Sequence, residues 1–179
     1  MIAIAAGVAG SSTACLDHDL VDATASEAPF IALQRDFSGY RDWVTFDLGV
    51  RAHAGLEGAT RVYCNRIPPP GLSRFPNGTI IVKTLEGGEP STWPVHAMVK
   101  RGGGFNAQGA FEWEFFDLQL SAGGVPVIVW RGEGPPSGHQ YQVTPGTDAA
   151  AEGVDDCSGC HKTETNDAVL TEDLDLDVL

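Results

Sequence analysis

Residues 75–86 read FPNGTIIVKTLE, and this stretch decides the fold class. A turn signal, Pro76-Asn77-Gly78, precedes a run rich in β-branched and aliphatic side chains, the composition of a strand. Alternate residues of a strand face opposite sides. Thr79, Ile81, Lys83 and Leu85 therefore share one face, and Ile80, Val82 and Thr84 share the other. Lys83 falls between two aliphatic neighbours. Its ordinary reading is an edge-strand lysine that reaches water or guards the edge against pairing.

Five further segments have the same texture and are bounded by Gly, Pro or Asn: 43–48, 59–65, 95–100, 111–118 and 125–130. No helix-length periodic segment separates them, which argues against a parallel sheet with crossover helices. Antiparallel strands in hairpins or a meander are expected, with Gly102-Gly103-Gly104 and Gly123-Gly124 at turns. The expected class is mainly β (α+β), an antiparallel β-sheet with a few short helices. One helical piece is expected around 35–43. A C-terminal helix is expected over about 147–162, capped by Thr147 or Asp148, or starting instead at Asp155 or Asp156. The tail 170–179 alternates apolar and acidic residues and reads as a last strand or an extended arm with a solvated acidic face.

The chain has 179 residues, 42% of them hydrophobic, enough for one domain with a core and a tail. Its 22 glycines and 11 prolines favour strands joined by turns. The net charge of −13 argues against a nucleic-acid partner and suits docking to basic proteins. Residues 1–14, MIAIAAGVAGSSTA, look like a signal peptide without a basic n-region, and the apolar run is too short to span a bilayer. Ser12-Thr13-Ala14-Cys15 resembles a bacterial lipoprotein cleavage site, which would place a lipid anchor on Cys15. A plain signal peptide and a structural Cys15 are the alternatives. The first two readings export the protein, to the periplasm or to an outer-membrane anchor. Residues 15–35 read as an acidic linker and 36–179 as the functional domain.

Near the end stands Cys157-Ser158-Gly159-Cys160-His161. Two cysteines three positions apart with a histidine after the second form the pattern for covalent attachment of one haem c, with His161 as the iron ligand. A zinc site would need a second close pair of ligands, whereas Cys64, His53, His96 and His139 are scattered singly. A thioredoxin-like dithiol would open a helix after a strand; here the pair lies at the chain's end. No methionine follows His161, and the only internal one is Met98, so the usual methionine ligand of electron-transfer cytochromes is missing. The other iron face is left to His53, His96 or His139, or stays open for small molecules.

With those motifs in view, the chain resembles the cytochrome P-460 family. The matching stretches are YRDWVTF (40–46), RVYCN (61–65), FPNGTIIVKTLE, HAMVK (96–100), EWEFF (112–116), CSGCH and the ending DAVL…DVL. They cover most of residues 40–179 in the family's order. The resemblance implies a β-rich, haem c-bearing domain over 36–179 that oxidises hydroxylamine to nitrous oxide or nitric oxide at a five-coordinate iron and passes electrons to a redox partner protein. It implies that Lys83 forms an extra covalent bond to the haem, favoured by a neutral amine, and that chains commonly pair as homodimers. The cytochrome c′-beta relatives share the fold, lack the cross-link and bind nitric oxide or carbon monoxide without turnover. A single-haem electron carrier is the third reading.

In the family's enzymes a carboxylate lies over the iron, and the alignment places His96 there. His96 then serves as the base, ligates the iron, or points out of the sheet as a hydrogen-bonded histidine. Glu114 is the backup carboxylate, expected to be exposed on a half-polar strand face. Trp43, Phe46, Phe105, Phe111, Trp113, Phe115 and Trp130 are expected mostly in the core, with one or two lining the haem. Arg61, Arg66, Arg74, Lys100 and Arg101 are candidates to pair with the haem propionates. Cys64 reads as a buried free thiol, a disulfide with Cys15 being the alternative.

Overall fold

A computed structural model describes residues 28–53, 56–134 and 157–179, with only the backbone of His53. The signal-like segment 1–14, Cys15, His139, the His53 side chain and the expected helix start at 147–156 lie outside the described residues.

The chain forms one six-stranded antiparallel sheet in simple meander order, with a few short helical turns. The strands are β1 (Val44–His53), β2 (Leu56–Cys64), β3 (Ile80–Glu86), β4 (Val95–Lys100), β5 (Trp113–Leu120) and β6 (Pro126–Gly132). All six expected strands are present, β4 with the expected limits and the others displaced or extended at their ends. Gly78 turns the chain into β3 at φ 82, a left-handed conformation that glycine adopts without strain. The helix expected at 35–43 is two 3-10 turns, Gln34–Phe37 and Tyr40–Asp42. A single α-helix turn, α1, spans Cys157–His161. No helix among the described residues is long and apolar enough to cross a membrane.

β3 is an interior strand, paired with β2 on one side and β4 on the other. Lys83 therefore cannot guard an edge, and the edge-strand reading is overturned. The tail is neither strand nor free arm. It makes a 3-10 turn at Glu172–Leu174, and Leu174 and Leu176 are buried. Its alternation records a half-buried coil, apolar side down, not a strand.

Each sheet face carries its own core. On one face Tyr63, Ile80, Val82, Val95, Val99, Phe116 and Leu118 pack under Ala32, Phe37 and Tyr40 from the N-terminal segment. Phe30 packs against this cluster, so the core reaches into residues 28–35, the end of the segment read as a linker. On the other face Val62, Cys64, Ile81, Met98, Trp113 and Phe115 pack under Ala168, Val169, Leu174 and Leu176 from the C-terminal segment.

Glu114 corrects another expectation. It is buried on the first face, where Arg131 grips it through Nε to Oε1 at 2.7 Å and Nη2 to Oε2 at 2.8 Å, and Arg101 approaches at 3.4 Å. A carboxylate held by a bidentate guanidinium tolerates burial. The half-polar look of that strand face concealed the arginine on the neighbouring strand.

Candidate functional site

The C-terminal segment covers only part of its face and leaves a cavity of about 660 Å³ between sheet and α1. Cofactor pockets commonly enclose roughly 300–1,000 Å³. Leu48, Val62, Ile81, Met98, Phe115, Trp130 and Val169 supply apolar walls. Cys157, Cys160 and His161 enter from α1, and Lys83, His96, Asp117 and Arg51 from the sheet. Five residues singled out in the sequence, Lys83, His96, Cys157, Cys160 and His161, are thus brought to one cavity although up to 78 positions separate them.

The sheet's contribution is a single row. Phe46 stands opposite Val62, Val62 opposite Lys83, Lys83 opposite His96, His96 opposite Asp117 and Asp117 opposite Trp130. Directly opposed side chains lie close enough to interact, with Cβ atoms about 4.5–5.5 Å apart. The β5–β6 ladder shifts register just after Asp117, between Asp117 and Leu118, the kind of irregularity that re-aims side chains beside a site. The His96 imidazole Nδ1 is 3.9 Å from Asp117 Oδ1, an ion-pair distance once the ring is protonated.

Lys83 makes no hydrogen bond or ion pair among the described residues. Its amine is accessible from the cavity but flanked by protein elsewhere. Loss of hydration pushes its pKa below the usual lysine value; repulsion from Arg51 adds to this, and Cys160 opposes it. Burial likewise pushes the His161 ring below its ordinary value, with Lys83 lowering it further, against a hydrogen bond to Ala168 that raises it.

Two buried polar clusters seat α1 and the segment after it. Ser158 Oγ, on α1, accepts from Asn106 Nδ2 at 2.8 Å and from the Ala110 amide at 3.0 Å, and donates to Asn106 Oδ1 at 3.0 Å. Gly109 passes so near Ser158 Oγ that a Cβ there would collide with it. Beyond α1, Asp167 takes Lys100 Nζ on Oδ1 at 2.7 Å and the Phe75 amide on Oδ2 at 2.8 Å. His161 Nδ1 is 2.7 Å from the Ala168 carbonyl oxygen. A carbonyl only accepts, so Nδ1 carries the proton and Nε2 keeps its lone pair.

The residues present fit a haem. The cavity is largely apolar and large enough, two half-buried thiols and an imidazole line it, and the imidazole tautomer leaves Nε2 free to ligate. Among the described residues no three His, Cys, Asp or Glu side chains are grouped to hold a bare metal ion.

None of the five propionate candidates lines the cavity. Arg61 pairs with Glu86, Arg66 donates to the Asn77 carbonyl, Arg74 lies 3.8 Å from Glu112, Lys100 is held by Asp167 and Arg101 stands by Glu114. The arginine in the lining is Arg51, which the sequence reading passed over because it lies beyond the expected end of the first strand. Asp117 was missed as well, although a signal was present. It follows Trp113 and Phe115 at period two, a charge on an apolar face just as Lys83 is. Of the aromatics, Phe115 and Trp130 line the cavity and Phe46 packs beside that core, Trp113 is fully buried, and Phe111 is exposed. Cys64 is a buried free thiol, hydrogen-bonded to the Arg66 carbonyl at 3.0 Å.

Nothing matches this chain among family models, curated proteins or solved structures.

Proposed function

We propose that this protein is an exported mono-haem c-type cytochrome that oxidises hydroxylamine, in the manner of cytochrome P-460. The observation that carries the reading is the convergence of the pentad, a lysine that forms no ion pair among the described residues and a histidine–carboxylate pair on one largely apolar cavity. When bound, the haem supplies one-electron chemistry and a coordination position for a small nitrogen substrate.

The chain's own residues supply the rest. Cys157 and Cys160 attach the macrocycle, and His161 presents Nε2. Leu48, Ile81, Phe115 and Trp130 exclude water, which strengthens every electrostatic interaction in the cavity. Lys83, whose pKa loss of hydration pushes down, would face the macrocycle; a further bond from its amine to a ring carbon would replace one N–H and one C–H, giving two protons and two electrons to an oxidant of the peroxide class. His96 accepts protons from the N–H and O–H groups of hydroxylamine, and Asp117 across the ladder stabilises the imidazolium that results. Asp117 thereby takes part of the role that the family resemblance gives to a carboxylate. Electrons leave to a redox partner, and the charge of −13 suits a basic one. Pairing as a homodimer and a lipid anchor at Cys15 complete the proposal.

The test is expression in a host that matures c-type cytochromes. Intact mass after denaturation and the reduced spectrum are compared for wild type and Lys83→Ala, with hydroxylamine oxidation followed by an artificial electron acceptor. Covalent haem, a red-shifted Soret band lost in Lys83→Ala, and turnover are expected. Identical spectra without turnover would make the protein a gas-binding relative of the cytochrome c′-beta kind. Colourless protein, or zinc at the thiols, would overturn the reading.

A further inference from the structure

The turn 166–169 holds two successive left-handed residues that are not glycine, Asp167 at φ 46 and Ala168 at φ 67. Such a conformation costs energy and persists only where the surroundings impose it. Three elements do so through Asp167. Lys100 at the end of β4 and the Phe75 amide before β3 take its two carboxylate oxygens, and Trp113 at the start of β5 donates Nε1–H to its carbonyl at 2.6 Å. Lys100 is itself buried, donates also to the Phe111 carbonyl at 3.1 Å, and lies 5.1 Å from the Trp113 ring centre. Asn166 ties down the far side, donating to the Val169 and Leu174 carbonyls and accepting from the Leu176 amide. The product of this bracing is the direction of one group: the Ala168 carbonyl, aimed at His161 Nδ1.

A buried ion pair is no general route to stability, since apolar residues of similar volume often serve as well. What it fixes is geometry. We propose that Asp167, clasped by Lys100 and Trp113, is a positioning residue for His161: it aims the Ala168 carbonyl so that the imidazole keeps one tautomer and one orientation, and so tunes the donor strength of Nε2. Partners behind a ligating histidine commonly set its basicity in this way. The proposal rests on the haem reading only for its effect on iron; the imidazole tautomer belongs to the protein.

The test uses holoprotein carrying Asp167→Asn, which removes the charge at nearly constant volume, and Trp113→Phe, which removes the indole donor and keeps an aromatic ring. Glu114→Gln is the comparison, because it loosens the opposite sheet face without touching α1 or the Ala168 carbonyl. The iron–histidine stretching frequency of the ferrous protein and the midpoint potential are measured beside the melting temperature. The expected result is a lower stretching frequency and a higher potential in Asp167→Asn, a smaller shift of the same sign in Trp113→Phe, and neither in Glu114→Gln. Melting temperatures that fall while stretch and potential stay at the wild-type values in both variants would overturn it. If no haem is attached, the functional reading fails, and the ring nitrogen-15 shifts of His161 decide the positioning alone. An Nδ1–H ring in wild type that becomes a tautomer mixture in Asp167→Asn supports it; the same tautomer population in both overturns it.

Discussion

Two lysines occupy adjacent strands of the same sheet face, and the protein treats them oppositely. Lys100, at one end of the face, is sealed: Asp167, the Phe111 carbonyl and the Trp113 ring surround its amine. Lys83, in the middle of β3, opens on the cavity and forms no ion pair among the described residues, with Arg51 adding repulsion. Burial pushes both amines below the ordinary lysine value, but at Lys100 the carboxylate opposes the shift. The contrast separates a charge built into the packing from one that faces a cavity. A lysine built into the packing is given its partners; at Lys83 the loss of hydration, without a carboxylate among the described residues that shift its pKa, disfavours the cation.

The strongest way to break this comparison is to treat Lys100 as dispensable. Lys100→Met leaves Asp167 buried and unpaired, and should cost about 3–5 kcal/mol, read as a lowered urea midpoint. An unchanged midpoint would mean that the sealed end is not structural. Next in size is Ser158→Ala. It strands Asn106 and the Ala110 amide, and about 1–3 kcal/mol of destabilisation is expected, with amide exchange near α1 accelerating before that of β3 and β4.

Lys83→Met should move the urea midpoint least of the three at neutral pH. Its effect on stability carries a defined sign. The amine titrates at lower pH folded than unfolded, so wild type is penalised at low pH, where the group is charged in both states. The penalty fades as pH rises through the folded-state value towards the unfolded one, about 10.4. Stability of wild type relative to Lys83→Met should therefore climb with pH over that window; a flat difference would remove the claim of a depressed amine. Amine acylation followed by peptide mass should accordingly reach its midpoint at lower pH for Lys83 in haem-free protein than for the lysine of an unfolded peptide of the same local sequence. The smallest effect concerns Cys64. Burial raises its thiol pKa, so iodoacetamide should label Cys157 and Cys160 of haem-free native protein and leave Cys64 unmodified; rapid labelling of Cys64 would show that this core opens readily.

Much of this was legible from residue order because strands announce themselves locally. Alternation in 79–85 gave the facing of Ile81, Lys83 and Leu85, and the pentad needed no fold to be recognised. Pairing was less legible, because it depends on partners distant in sequence. Glu114 looked exposed until Arg131, on the next strand, was placed beside it. Asp117 joins His96 only through the β4–β5 register, and Asp167, inside a stretch already noted for its resemblance, gave no sign that Lys100 lies against it.

Sequence alone determined the strand content, the turn glycines, the facing of Lys83 and the close spacing of Cys157, Cys160 and His161, since these rest on period-two patterning and on side chains a few positions apart. Tertiary structure alone decided that Lys83 lies inside the sheet, that Lys83, His96 and Asp117 form one row, and that α1 closes a cavity over them. The physical reason is that hydrogen-bond register converts distances of tens of residues into contacts between neighbours, and no local pattern encodes which neighbour a strand will take.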